Sequence, residues 1–103
     1  MSFTDAVNAK SELLRSELQA IADANPERGF VVRGRGLMYG LACDTDPTLA
    51  GRISAEAFRR GLVIETSGAF DQVLKFLPAL TISDDELTRG LQIVRESLAA
   101  VAA

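Results

Sequence analysis

Apolar positions in the first part of the chain recur at helical spacing. Phe3, Val7, Leu14, Leu18 and Ile21 follow one another three, four or seven residues apart, and Leu13 and Ala22 widen the stripe. A 3.6-residue period places such positions on one face, so an amphipathic helix is predicted from Phe3 to about Asp23. Asn25-Pro26 ends it, because the residue before a proline is pushed out of the helical region.

The period then changes. Phe30 to Cys43 is apolar and β-branched, is broken by Gly34 and Gly36, and resumes as Leu37-Met38-Tyr39, which predicts a β-hairpin. Asp46-Pro47 predicts a helix start, with aspartate as N-cap and proline at the first helical position. That helix should turn Leu49, Ile53, Ala57 and, at its margin, Phe58 inward. It should end at Gly61, with Leu62 making the apolar contact of a Schellman motif. Leu62 to Thr66 reads as a strand, Ser67-Gly68 as a turn and Val73 to Phe76 as a further strand. Ser83-Asp84-Asp85-Glu86 is a capping box, with Ile82 and Leu87 as its hydrophobic staple. Leu87, Leu91, Val94, Leu98 and Val101 then form one stripe on a last helix. The resulting order predicts one α+β domain: a small, mainly antiparallel sheet of about four strands with three helices largely on one face.

Composition narrows the chemistry. The 103 residues suit a single domain, and a net charge of −3 gives no electrostatic footprint for nucleic acid or anionic lipid. No apolar run is long enough to span a bilayer, and the N-terminus has no basic segment leading into an apolar core. A single cysteine, Cys43, fits a reducing compartment, so a cytoplasmic location is expected. The chain has no histidine, which removes Ser-His-Asp and Cys-His nucleophiles and histidine metal sites. No metal site is expected.

Candidate chemistry is sparse. Arg33-Gly34-Arg35-Gly36 could be a basic, glycine-rich anion loop, but such loops lead from a strand into a helix, and this one leads into a second strand. It reads as a hairpin turn in which Gly34 and Gly36 supply positive φ and the arginines face solvent or a partner. Lys10 and Lys75 are the only lysines, and Lys75 should point away from Leu74 and Phe76. Nothing beside either lysine suggests the desolvated pocket or cationic neighbour that a Schiff-base lysine needs. Asp84, Asp85 and Glu86 are accounted for by capping and the helix dipole, and Asp46 by the helix start. No catalytic residue is assigned.

Four segments in order, "VRGRGLMYGL", the helix closing at Phe58 and Gly61, "LVIETSG" and "KFLPALTISDDEL", carry a resemblance. Together with the leading "AKSELLRSELQAIA" they are similar to the C-terminal small domain of class III (fold type I) pyridoxal-phosphate aminotransferases. The likeness is to the branch that makes diaminobutyrate for ectoine. It implies that the cofactor and its Schiff-base lysine belong to a large domain that these residues do not include, so none is bound by this chain alone. In many members the position of Lys75 is an arginine in an R-[FL]-x-P-P-L pattern, near the substrate's acidic group or a switch glutamate. Here it reads Lys75-Phe76-Leu77-Pro78-Ala79-Leu80, with Ala79 replacing the second proline. By resemblance, Lys75, Arg33, Arg35, Glu65, Thr66 and Ser67 lie on the substrate side or at the interface with the large domain. The partners implied are that large domain or another protomer, with amino acid and 2-oxo acid substrates met only in the whole enzyme. The alternative is a free-standing α+β interaction or regulatory module derived from such a domain, which Met1 directly before the plausible N-cap Ser2 favours.

Overall fold

A computed structural model describes residues 3–35, 38–76 and 83–102, without the side chains at 3–7, 35, 38 and 102. Helix α1 (Phe3–Ala24) is followed by a single 3-10 turn at Pro26–Arg28. Strands β1 (Val31–Arg35) and β2 (Met38–Ala42) come next, then α2 (Leu49–Arg59), β3 (Glu65–Ser67), β4 (Val73–Phe76) and α3 (Asp84–Ala102). The four strands form one sheet in the order β1-β2-β4-β3, with every neighbouring pair antiparallel. The architecture is α+β, as expected.

One sheet face packs on helices. Val32, Leu41, Leu74 and Phe76 join Leu14, Leu18 and Ile21 of α1 and Leu49, Ile53 and Ala57 of α2 in a single core. Helix α3 closes that core with Leu87, Leu91, Val94 and Leu98, the stripe anticipated for it. An Arg95–Glu17 bond of 2.5 Å ties α3 to α1. The capping box forms: Glu86 N–H donates to Ser83 Oγ over 3.1 Å and Ser83 N–H to Glu86 Oε1 over 3.4 Å. Its proposed staple partner, Ile82, lies outside the described residues, as do the side chains of Phe3 and Val7.

The second helix begins later than Asp46-Pro47 suggests. Asp46 instead organises the turn ahead of it, its Oδ1 accepting from Thr48 N–H at 3.1 Å and Thr48 Oγ1 at 2.7 Å. At the other end the Schellman motif is complete. Leu62 N–H bonds Ala57 O at 2.9 Å, Gly61 N–H bonds Phe58 O at 3.1 Å, and Gly61 takes φ 92°. The same bonds shorten the following strand: Leu62's N–H is spent on α2, and Ile64's carbonyl accepts from Ser54 Oγ at 2.7 Å. Cross-strand pairing therefore starts at Glu65, not Leu62, and runs through Ser67. Phe58 is 69% exposed and Val63 75%, so neither belongs to the core.

Gly34 is a strand residue paired with Tyr39, not a positive-φ turn residue. A Cβ there would lie 2.2 Å from the Tyr39 ring, so absence of a side chain is what matters. Gly36 lies outside the described residues.

Leu74 is fully buried at the sheet centre. Leu74→Ala should cost about 2–5 kcal/mol and lower Tm by about 8 °C or more, whereas Phe58→Ser should stay within about 0.5 kcal/mol. Thermal melts of the two variants decide this; equal losses would place Phe58 in the core after all.

Candidate functional site

The other sheet face carries charge. Register aligns Arg33 with Gly40, Gly40 with Lys75 and Lys75 with Glu65, one residue from each strand in a single row. Successive strands lie about 4.8 Å apart, so Gly40 leaves a bare step of about 10 Å between the bases of Arg33 and Lys75. A hollow lies along this row, lined by Arg33, Tyr39, Gly40, Ser67, Val73 and Lys75.

Each cation has a carboxylate beside it. Arg33 Nη2 donates to Asp44 Oδ2 at 2.8 Å, and Lys75 Nζ lies 3.7 Å from Glu65 Oε2, beyond hydrogen-bond length. Glu65 is 73% exposed and Lys75 29%. Pairs this open contribute about 0–1 kcal/mol, so an incoming charged group can replace either partner at small cost.

The resemblance grouped six positions, and the fold brings four of them together. Arg33, Lys75 and Glu65 share the row, and Ser67 lies one row away on the same face, opposite Val73. Thr66 faces the other way: it pairs with Leu74 and borders a hollow with Ser54, Phe58 and Ile64 against α2. The Arg35 side chain lies outside the described residues. Sequence reasoning missed Gly40 and the Asp44 partner of Arg33. Once Arg35 is paired with Met38, position 33 must fall opposite 40, so Gly40 was legible in principle.

Two other candidates are absorbed structurally. Asp46, besides ordering its turn, accepts from Arg52 Nη2 at 2.7 Å, and its carboxyl is held below the usual range chiefly by the Thr48 hydroxyl. Among the described residues no group of three or more His, Cys, Asp or Glu is placed to hold a metal. Cys43 is fully buried. Burial first, then the Asp44 and Asp46 carboxylates, push its thiol up to about 11, which removes it as a nucleophile near neutral pH.

The described residues form an α+β domain whose sheet carries helices on one face and a charged row on the other. Comparison with known proteins names the family. The model of the aminotransferase class-III family matches residues 1–98, and the chain belongs to that family. It is 52% identical over 98 residues to diaminobutyrate–2-oxoglutarate transaminase of Bordetella parapertussis, and 48% identical over 96 residues to that of Nocardia farcinica. Those matches cover 95% and 93% of this chain but 22% and 21% of the relatives. N-acetylornithine aminotransferase from Stenotrophomonas maltophilia superposes with a TM-score of 0.79 at 36% identity, over 97% of this chain and 27% of that one.

The family implies pyridoxal phosphate in a full enzyme. The described residues here do not form a site for it: Lys75 stands on an open sheet face beside Glu65, and Arg33 is engaged by Asp44, so no desolvated lysine meets a phosphate cradle.

The thiol provides a test of the fold around this site. Between the ordinary 9.0 and the folded value of about 11 the unfolded chain loses its proton first. The native state then binds more protons, so stability is complete below pH 9.0 and falls as pH rises toward about 11. A disulfide exchange reagent at pH 8 should label Cys43 only after denaturant is added; rapid labelling of the native chain would contradict its burial.

Proposed function

We propose that this chain acts as the C-terminal small domain of a pyridoxal-phosphate aminotransferase that uses diaminobutyrate and 2-oxoglutarate, supplying a substrate-side face and domain closure. The row Arg33–Gly40–Lys75–Glu65, open on a sheet whose other face is fully used by helices, is the observation that carries this reading. Its match to about a fifth of the length of diaminobutyrate transaminases supports it.

In such an enzyme the cofactor, held elsewhere, supplies the electron sink for amino transfer. This chain's residues bind and orient. Lys75 presents a compact, mobile charge to a carboxylate, and Arg33 a planar fork suited to bidentate contact with one. Asp44 and Glu65 hold both cations extended on the sheet until a substrate or the large domain displaces them. Closure of the small domain over this face would expel water and strengthen each charged contact.

The chain alone, given pyridoxal phosphate and both substrates, should form no glutamate. Joined behind the preceding part of the Bordetella parapertussis transaminase, it should do so. In that enzyme Lys75→Ala should lower kcat/KM about 10- to 100-fold, the loss of one charge-assisted contact, and Lys75→Arg should retain most activity. A joined enzyme that stays inactive, or a Lys75→Ala variant as fast as its parent, would sink the reading.

A second reading, a free-standing interaction module, is favoured by a core that closes within the chain: helices α1, α2 and α3 all bury their apolar stripes here. It requires cooperative unfolding of the isolated chain at low concentration.

A further inference from the structure

Glu65 is the residue that the proposed function leaves with the least to do. It stands on the edge strand β3, directly across from Lys75, with its carboxylate 73% exposed and 3.7 Å from the lysine nitrogen. At this separation the two groups form an ion pair without a hydrogen bond, on the sheet face away from the helices. Along the row the charges run Arg33 positive, Gly40 empty, Lys75 positive, Glu65 negative; Lys75 and Glu65 are opposite charges on adjacent strands, whereas the partner of Arg33, Asp44, lies outside the row.

We infer that the Lys75–Glu65 pair reads the zwitterionic head group of an α-amino acid, with Lys75 taking its carboxylate and Glu65 its ammonium. The inference rests on the transaminase reading above. In such a head group the amino nitrogen and carboxylate carbon are about 2.5 Å apart, as ordinary bond lengths and angles dictate. Placed against the pair, the ammonium meets Glu65 and the carboxylate meets Lys75, which gives a closed arrangement of alternating charges. Both contacts are charge-assisted hydrogen bonds, and no charge is left without a partner.

The chemistry of the relatives' named substrate gives the arrangement a purpose. A diaminobutyrate that surrenders its terminal amine keeps an α-amino and a carboxyl group on one carbon, and these must be held as a unit at the far end of the site. Lys75 alone would read the carboxylate and accept γ-aminobutyrate equally well. Glu65 favours diaminobutyrate over that analogue, which lacks the ammonium that would pair with it. Glu65 is thus assigned as a specificity residue for substrates bearing both groups.

The test uses the enzyme made by joining this chain behind the preceding part of the Bordetella parapertussis transaminase. L-alanine carries the head group without a second amine, and propionate carries the carboxylate alone. Calorimetry on the parent and on Glu65→Gln should show alanine binding weakened roughly tenfold and propionate binding unchanged or strengthened, since Lys75 is released. In kinetics, the preference for diaminobutyrate over γ-aminobutyrate should fall by the same factor. Glu65 lies exposed on an edge strand, so the variant's thermal melt should match its parent's. Equal effects on alanine and propionate, or an unchanged preference between the two amines, would overturn the inference and leave the transaminase reading standing. A joined parent enzyme without transaminase activity would overturn both.

Discussion

The pairing of β2 with β4 holds the rest together. Each strand belongs to a different hairpin, and only their ladder, Tyr39 with Phe76 through Ala42 with Val73, makes two hairpins one sheet. Leu41 and Leu74 meet at its centre, both almost fully buried, and α1 and α2 rest on the face they share. A one-residue slip would turn Leu74 outward and Lys75 into the core, where an unpaired ammonium is prohibitively costly. The apolar demand at Leu41 and Leu74 therefore also dictates that Gly40 stands opposite Lys75, and the charged row follows from the packing beneath it.

The end of α2 shows the same economy. Because Leu62 N–H returns to Ala57 and Ile64 O is taken by Ser54, the chain leaves the helix already committed and can enter the sheet only at Glu65. Strand β3 is thus three residues long, and its first residue is the one across from Lys75. A longer strand from Leu62 would satisfy the β propensity of Val63 and Ile64 but would break the helix cap. Local capping wins because its donors and acceptors have no alternative partner once α2 is docked.

Much of this was legible in the sequence. The stripe of α1 from Leu14 onward, that of α3, the Ser83–Glu86 capping box and the Gly61 terminator each depend on residues close in sequence, and each formed. What escaped depends on distant partners. Asp46 looked like a helix N-cap, yet its carboxylate is shared between Thr48, ahead of the helix, and Arg52 within it. Phe58 sits next to the buried Ala57, but the helix turns it 69% into the open beside Val63. Gly34 looked like a turn residue because its role, giving room to the Tyr39 ring across the strand, leaves no local trace. Of the site, the charges could be picked out, but only the β2–β4 register says which of them are neighbours, and that register has no short-range signature.

The choice of lysine over arginine at position 75 has a consequence in this setting. An arginine fork opposite Glu65 would form two parallel hydrogen bonds with it and lock the pair shut. The lysine reaches only 3.7 Å from the carboxylate, so neither group is bound firmly to the other. Arg33, by contrast, is engaged at 2.8 Å by Asp44 at the far side of the bare step left by Gly40. The row thus has one pair within hydrogen-bond length and one beyond it, and both are too open to contribute much. A face meant only to dock against a large domain would gain from firm pairs at both ends, because each immobile contact lowers the entropy lost on docking. Under the proposed transaminase role, the wider Lys75–Glu65 pair is the one that an incoming charged group would part first.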